Sequence, residues 1–189
     1  MERYEFYKKR LKNMLSEKRF MHCINVSQTA AKLAENYGVN VENARIAGLL
    51  HDVCKEMPDN ILIEILRKNR FEGVNRVSPK VRHGFAGYFF LKNDWKISNY
   101  DILNGVKYHT VGRKGMSLFE KIIFVADYIS PERPWDDIDE LTEMAFVDIN
   151  RVALKKVSTY IISCIKRHQL VHTYTVDFYN DIIAKGDKK

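Results

Sequence analysis

Four residues hold the ingredients of a metal centre: His22, the adjacent pair His51-Asp52, and Asp127. Asp127 stands inside the apolar run Ile122-Ile123-Phe124-Val125-Ala126-Asp127-Tyr128-Ile129. A helix of that composition faces the interior, where an ionised carboxylate either neutralises or finds a cation. Two imidazoles and two carboxylates form a donor set for a divalent or trivalent transition ion that accepts both nitrogen and oxygen; iron, manganese, cobalt and nickel all qualify. Four protein ligands leave two octahedral positions, one for water and one for a phosphate oxygen. Such an ion lowers the pKa of its water and polarises a bound substrate oxygen, chemistry suited to hydrolysis.

Other residues join this set by phase or proximity. His83 aligns with Ala86, Gly87 and Phe90, and His109 with Ile102 and Val106, so both imidazoles point inward. Each could donate to a phosphate, protonate a leaving oxygen, or hold a second ion; phosphate contact is the expected role, because few carboxylates stand near them in the sequence. Lys55 falls one turn beyond His51 and is expected to aim its ammonium at the same pocket, as catalytic and substrate-binding cation. Thr110, Arg19 and Arg133 complete the expected substrate contacts. The structural alternatives are plain: a core histidine hydrogen-bonded for packing, a surface Lys55, an Arg133 paired with Glu132 or Asp136, an Arg19 used in helix packing. What outweighs them is the joint occurrence of a spaced His, a His-Asp pair and a distant buried Asp.

The elements that must position these groups are helical. Apolar residues recur at helical spacing and alternating patterns are scarce. Helices are expected near 2–15, from 16 or 18 to 37, from 40 or 41 to 55, and over 58–69, 78–95, 97–108, 117–129, 138–145, 146–168 and 176–185. Gly38 is a natural stop, and Ser78-Pro79 a start with Ser as N-cap. Ala44, Ala47 and Gly48 leave one face of the third helix open to a close neighbour, a helix or a ligand. Gly84 and Gly87 do the same beside His83. The expected architecture is an all-α, single-domain bundle over residues 1–189, with the metal-site core at about 16–135 and the C-terminal helices at about 138–185.

Composition narrows the function classes. At 189 residues with 46% hydrophobic residues, the chain can bury one sizeable core. No apolar run approaches the ~20 residues of a membrane span, and Met1 to Phe6 lack a secretory h-region. Cys23, Cys54 and Cys164 are odd in number and not spaced as CxxC, which suits free thiols and a cytoplasmic protein. A net charge of +7 favours anionic partners, with clusters at Lys8 to Lys12 and Lys185 to Lys189. No arginine-rich run with interleaved aromatics and no helix-turn-helix pattern is present, which argues against nucleic acid, but charge alone does not choose between an anionic membrane and a small phosphorylated ligand. Oligomeric state is left open, a homodimer being compatible with the sequence.

The order His22, His51-Asp52, Asp127 resembles the HD-domain superfamily of metal-dependent phosphohydrolases. Arg19-Phe20-Met21-His22, Gly48 to Lys55, Arg82-His83-Gly84, Tyr108-His109-Thr110 and Ala126 to Arg133 are similar to segments of the bacterial YqeK group. The likeness runs from about Arg19 to about Arg167. It implies an HD-type all-α fold, iron or a similar transition metal, and cleavage of diadenosine tetraphosphate into two ADP. The competing expectations are another HD nucleotide phosphohydrolase or phosphodiesterase, and a non-catalytic helical module that binds nucleotide or nucleic acid.

Overall fold

The structure is a computed structural model, and it describes residues 2–74 and 77–186. The end of the Lys185-to-Lys189 cluster lies outside them. Among the described residues every regular element is a helix: α1 (Glu2–Lys12), α2 (Glu17–Asn36), α3 (Val41–Leu50), α4 (Asp59–Lys68), α5 (Pro79–Asn93), α6 (Tyr100–Tyr108), α7 (Leu118–Tyr128), α8 (Ile138–Val147), α9 (Ile149–Lys166) and α10 (Thr173–Gly186). None is long and apolar enough to cross a membrane. One continuous apolar cluster runs from Leu11 on α1 to Ile182 on α10.

Polar side chains set where the helices start. Ser16 caps α2, Asn40 caps α3 and Asn99 caps α6, each accepting from a backbone N–H of the first turn. Ser117 and Glu120 form a reciprocal capping box on α7. Ser78 occupies the N-cap of α5 with Pro79 after it, as expected, but its hydroxyl makes no capping bond. The third helix is shorter than the sequence suggested. It ends at Leu50, and His51 to Glu56 continue as hydrogen-bonded turns, with Val53 N–H on Leu50 O and Lys55 N–H on Asp52 O. His51 caps that end with its own ring.

Close backbone approach explains the small residues. A Cβ on Gly48 would lie 2.9 Å from Ser27 Cα, so α2 and α3 cross at this glycine. Ser27 Oγ donates to Arg45 O at the same crossing. Gly84 and Gly87 face α6, where a Cβ would meet Lys107 O at 3.2 Å and Val106 Cγ1 at 3.1 Å. In all three places the neighbour is a helix, so packing, and no ligand, accounts for the missing side chains.

Candidate metal centre

Helix ends deliver the centre's side chains. His22 lies in the second turn of α2, His51 and Asp52 directly after α3, His83 in the second turn of α5, His109 at the C-cap of α6, and Asp127 in the last turn of α7. The four histidines and Asp52 are all buried. His51 Nδ1 donates to Gly48 O and His109 Nδ1 to Val106 O, each at 2.7 Å. These carbonyls belong to the last turns of α3 and α6, which lack intrahelical donors. Each imidazole thus closes its own helix, and in closing it turns Nε2, with its lone pair, inward.

Those nitrogens converge on two carboxylates. His22 Nε2 is 3.2 Å from His51 Nε2 and 3.3 Å from Asp127 Oδ1. Asp52 Oδ2 lies 3.4 Å from His51 Nε2 and 3.8 Å from His22 Nε2. The other oxygen of Asp52 faces a second group: Oδ1 is 3.0 Å from His83 Nε2 and 3.5 Å from His109 Nε2, and the two imidazole nitrogens are 3.1 Å apart. Asp52 therefore stands between two donor clusters, His22-His51-Asp52 and Asp52-His83-His109, each tight enough to surround one ion. The expected four-residue constellation comes together, and His83 and His109 come with it.

Electrostatics separates the roles. Burial opposes ionisation of Asp52, yet the adjoining His51 and the other imidazoles around it hold its carboxyl well below the usual range. Burial pushes His109 down to about 3, and lowers His83, so both rings are neutral at pH 7. His51 is shifted the other way: burial works against its charge, but Asp52 and Asp127 together raise it. A neutral His109 with its proton committed to Val106 O offers only a lone pair at Nε2. That lone pair can bind a cation.

Two supporting groups escaped the sequence reading. Glu132, in the loop after α7, accepts from His22 Nδ1, from Asn25 Nδ2 at 2.7 Å and from Ser130 Oγ at 2.6 Å. Burial disfavours its charge, but these donors bring its carboxyl down to about 2. A carboxylate behind an imidazole is a recurrent way to fix tautomer and orientation at a metal ligand. Lys156, on α9, donates to Asp127 Oδ2 at 3.0 Å. It had a signal in the sequence, for it lies three and four residues after the core positions Ala153 and Val152.

The remaining candidates fall as follows. Arg19 Nη1 is 2.9 Å from Asp52 Oδ2. Arg133 grips Asp127 through Nη2 to Oδ1 and Nε to the backbone oxygen, and pairs with neither Glu132 nor Asp136. Lys55 Nζ is 3.5 Å from His83 Nε2. Although not on a continuous helix with His51, it still faces the centre. Thr110 follows His109, with its hydroxyl buried and without a hydrogen-bond partner. A cleft of about 740 Å³ lined by residues 69–73, Val77 and residues 170–174 includes His172 but none of these candidates.

The donor set suits a transition ion. Imidazole lone pairs and carboxylate oxygens face one another at 3.0 to 3.8 Å with few protons to share, and a cation relieves that opposition. Helical fold, bridging aspartate and donor order identify the class. The HD-domain family matches residues 19–132, and the chain belongs to it. Over 175 residues it is 31% identical to the symmetrical bis(5'-nucleosyl)-tetraphosphatase of Bacillus subtilis, covering 92% of this chain and 94% of that one. It is 31% identical to the Staphylococcus aureus protein of the same name, over 92% and 91% of the two chains. A solved HD superfamily hydrolase from Clostridium acetobutylicum, described as involved in NAD metabolism, is 36% identical and superposes with a TM-score of 0.91 over 96% of this chain and 97% of that one.

Proposed function

We propose that the protein is a metal-dependent hydrolase that cleaves diadenosine tetraphosphate symmetrically, adding one water and releasing two ADP. The observation that carries this reading is the convergence of four imidazole nitrogens on the two oxygens of Asp52, with Asp127 closing one side. The names of the near-full-length relatives support the substrate.

His22, His51, Asp52 and Asp127 would hold one ion. His83 and His109 would hold a second, with Asp52 shared, in place of the phosphate contact expected from the sequence. Few carboxylates neighbour them in sequence, but Asp52, with one oxygen on each side, serves both clusters. A bound transition ion supplies an acidified water and a polarised phosphoryl oxygen. Iron is the ion proposed, with manganese, cobalt and nickel as competitors for the same mixed donors.

The chain's own residues do the rest. Lys55 makes no salt bridge among the described residues, so its ammonium is available to a phosphate or to the leaving diphosphate oxygen. Arg19 and Arg133 are about a third exposed and tied to Asp52 and Asp127. They hold the carboxylates on one side and face incoming phosphate on the other, a fork geometry that suits both. Glu132 keeps the His22 proton on Nδ1.

The test is a product analysis. Purified protein, its metal quantified, is offered diadenosine polyphosphates of several lengths, mononucleotides and a cyclic nucleotide. Diadenosine tetraphosphate should yield ADP alone. AMP plus ATP, or a preference for a mononucleotide or cyclic nucleotide, would replace this reading with another HD phosphohydrolase activity. Salt-dependent binding of nucleic acid without turnover would support the non-catalytic alternative.

A further inference from the structure

Lys156 carries a mostly buried ammonium on a helix that lies beyond the matched HD region. Its side chain is 12% exposed. An ammonium has three N–H groups, and here each has an acceptor: Asp127 Oδ2 at 3.0 Å, Phe124 O at 2.6 Å and His109 O at 3.0 Å. Two of these acceptors lie at the C-terminal ends of α6 and α7, and one is a carboxylate of the centre. The Phe124 ring also lies 4.0 Å from Nζ, so the charge is enclosed on its remaining side.

The two oxygens of Asp127 are thereby made unequal. Oδ2 is turned to Lys156. Oδ1 is turned to His22 and His51, at 3.3 and 3.8 Å, and keeps a lone pair for Arg133. A carboxylate free at both oxygens can chelate an ion and take two coordination positions; one with a blocked oxygen takes a single position. We propose that Lys156 is a positioning residue that confines Asp127 to one-oxygen ligation, and so keeps a coordination position open for water or phosphate. The C-terminal helices then complete the centre and are not an appendage to it. This inference builds on the metal-dependent reading above.

The test compares the wild type with Lys156→Met and Lys156→Arg, each loaded with Co²⁺. Visible absorption of Co²⁺ depends on its ligand set and geometry, so the spectrum reports ligation with no substrate present. Lys156→Met should bind Co²⁺ at least as tightly as wild type, because an opposing positive charge has gone. Its spectrum should depart from that of wild type, because the freed Oδ2 displaces a coordinated water. Turnover of diadenosine tetraphosphate should drop by about 10–100-fold in kcat with KM little changed, the range for lost support behind a metal ligand. Lys156→Arg keeps an N–H on Oδ2 and should return the wild-type spectrum and much of the kcat.

A merely structural lysine gives a different pattern. In that case Lys156→Met loses metal and thermal stability together, or keeps the wild-type spectrum and kcat; either result overturns the proposal. If Lys156→Met does not fold, Lys156→Arg decides: an altered spectrum in a folded Lys156→Arg overturns it, and an unaltered one supports it. A metal-loaded wild type that leaves the dinucleotide intact defeats the hydrolase reading alone, since the spectral comparison stands without it.

Discussion

Glu132 decides which nitrogen of His22 faces the centre. By accepting the Nδ1 proton it leaves Nε2 as a lone pair turned to the centre. Replacing it with glutamine keeps the size and one acceptor but removes the charge. Glu132→Gln should weaken metal binding by about 10–100-fold, measured by competition with a chromogenic chelator, with little change in thermal stability. Unchanged affinity would mean that His22 needs no carboxylate behind it. The candidate ligands stand out in the sequence because each breaks a pattern: an acid in an apolar run, a histidine in phase with a core face. Glu132 breaks none. It sits in a loop beside prolines and an arginine, where acidic residues are ordinary. Lys156 was overlooked for another reason. It follows Lys155 on a helix with many polar residues, and only the phase of Val152, Ala153 and Val157 separates the buried lysine from the exposed one.

Helix ends place the histidines, so the loops that follow them matter as much as the helices. Gly112 lies three residues after His109, with φ +68°, and a Cβ there would stand 2.3 Å from Phe178 Cδ1 on α10. Left-handed backbone and a ring in the way act together. Gly112→Ala should cost about 3 kcal/mol from the sum of αL strain and overpacking. For a chain of this size that is a fall in Tm of roughly 6–12 °C by calorimetry. On the same loop, Gly115 N–H donates to Asp181 Oδ2 at 3.0 Å, and Lys185 Nζ reaches that oxygen at 2.7 Å. Burial opposes the charge of Asp181, but Lys185 and the amide together lower its carboxyl below the ordinary aspartate value. A depressed carboxylate contributes stability above its unfolded-state pKa and loses it as pH falls through the folded value. Asp181→Asn should therefore lower Tm near neutral pH, with the gap from wild type closing in acid, below the ordinary aspartate range. A gap that persists there would assign its effect to packing. Most helix spans were readable within a few residues. The exception, α3, ended early because His51 caps it with a side chain that the sequence reading had reserved for metal.

At the scale of the whole molecule, the centre is where separate helices meet. Donors reach it from α2, the end of α3, α5, α6 and α7, with Lys156 on α9 behind them. These groups span residues 22 to 156, so the fold must close before the ligands assemble. An ion that binds this assembly and not the unfolded chain stabilises the fold by mass action, about 2.7 kcal/mol for each site at a hundredfold excess over Kd. Removing metal with a chelator should lower Tm by roughly 5–11 °C per site, and returning the ion should restore it. Two filled clusters should give a loss about twice that of one, and a titration with two inflections. Asp52→Asn tests the shared carboxylate: with one charge gone from both clusters, the metal-dependent part of Tm should vanish at both sites together. Loss of one inflection with the other intact would mean that the two clusters do not depend on a common aspartate.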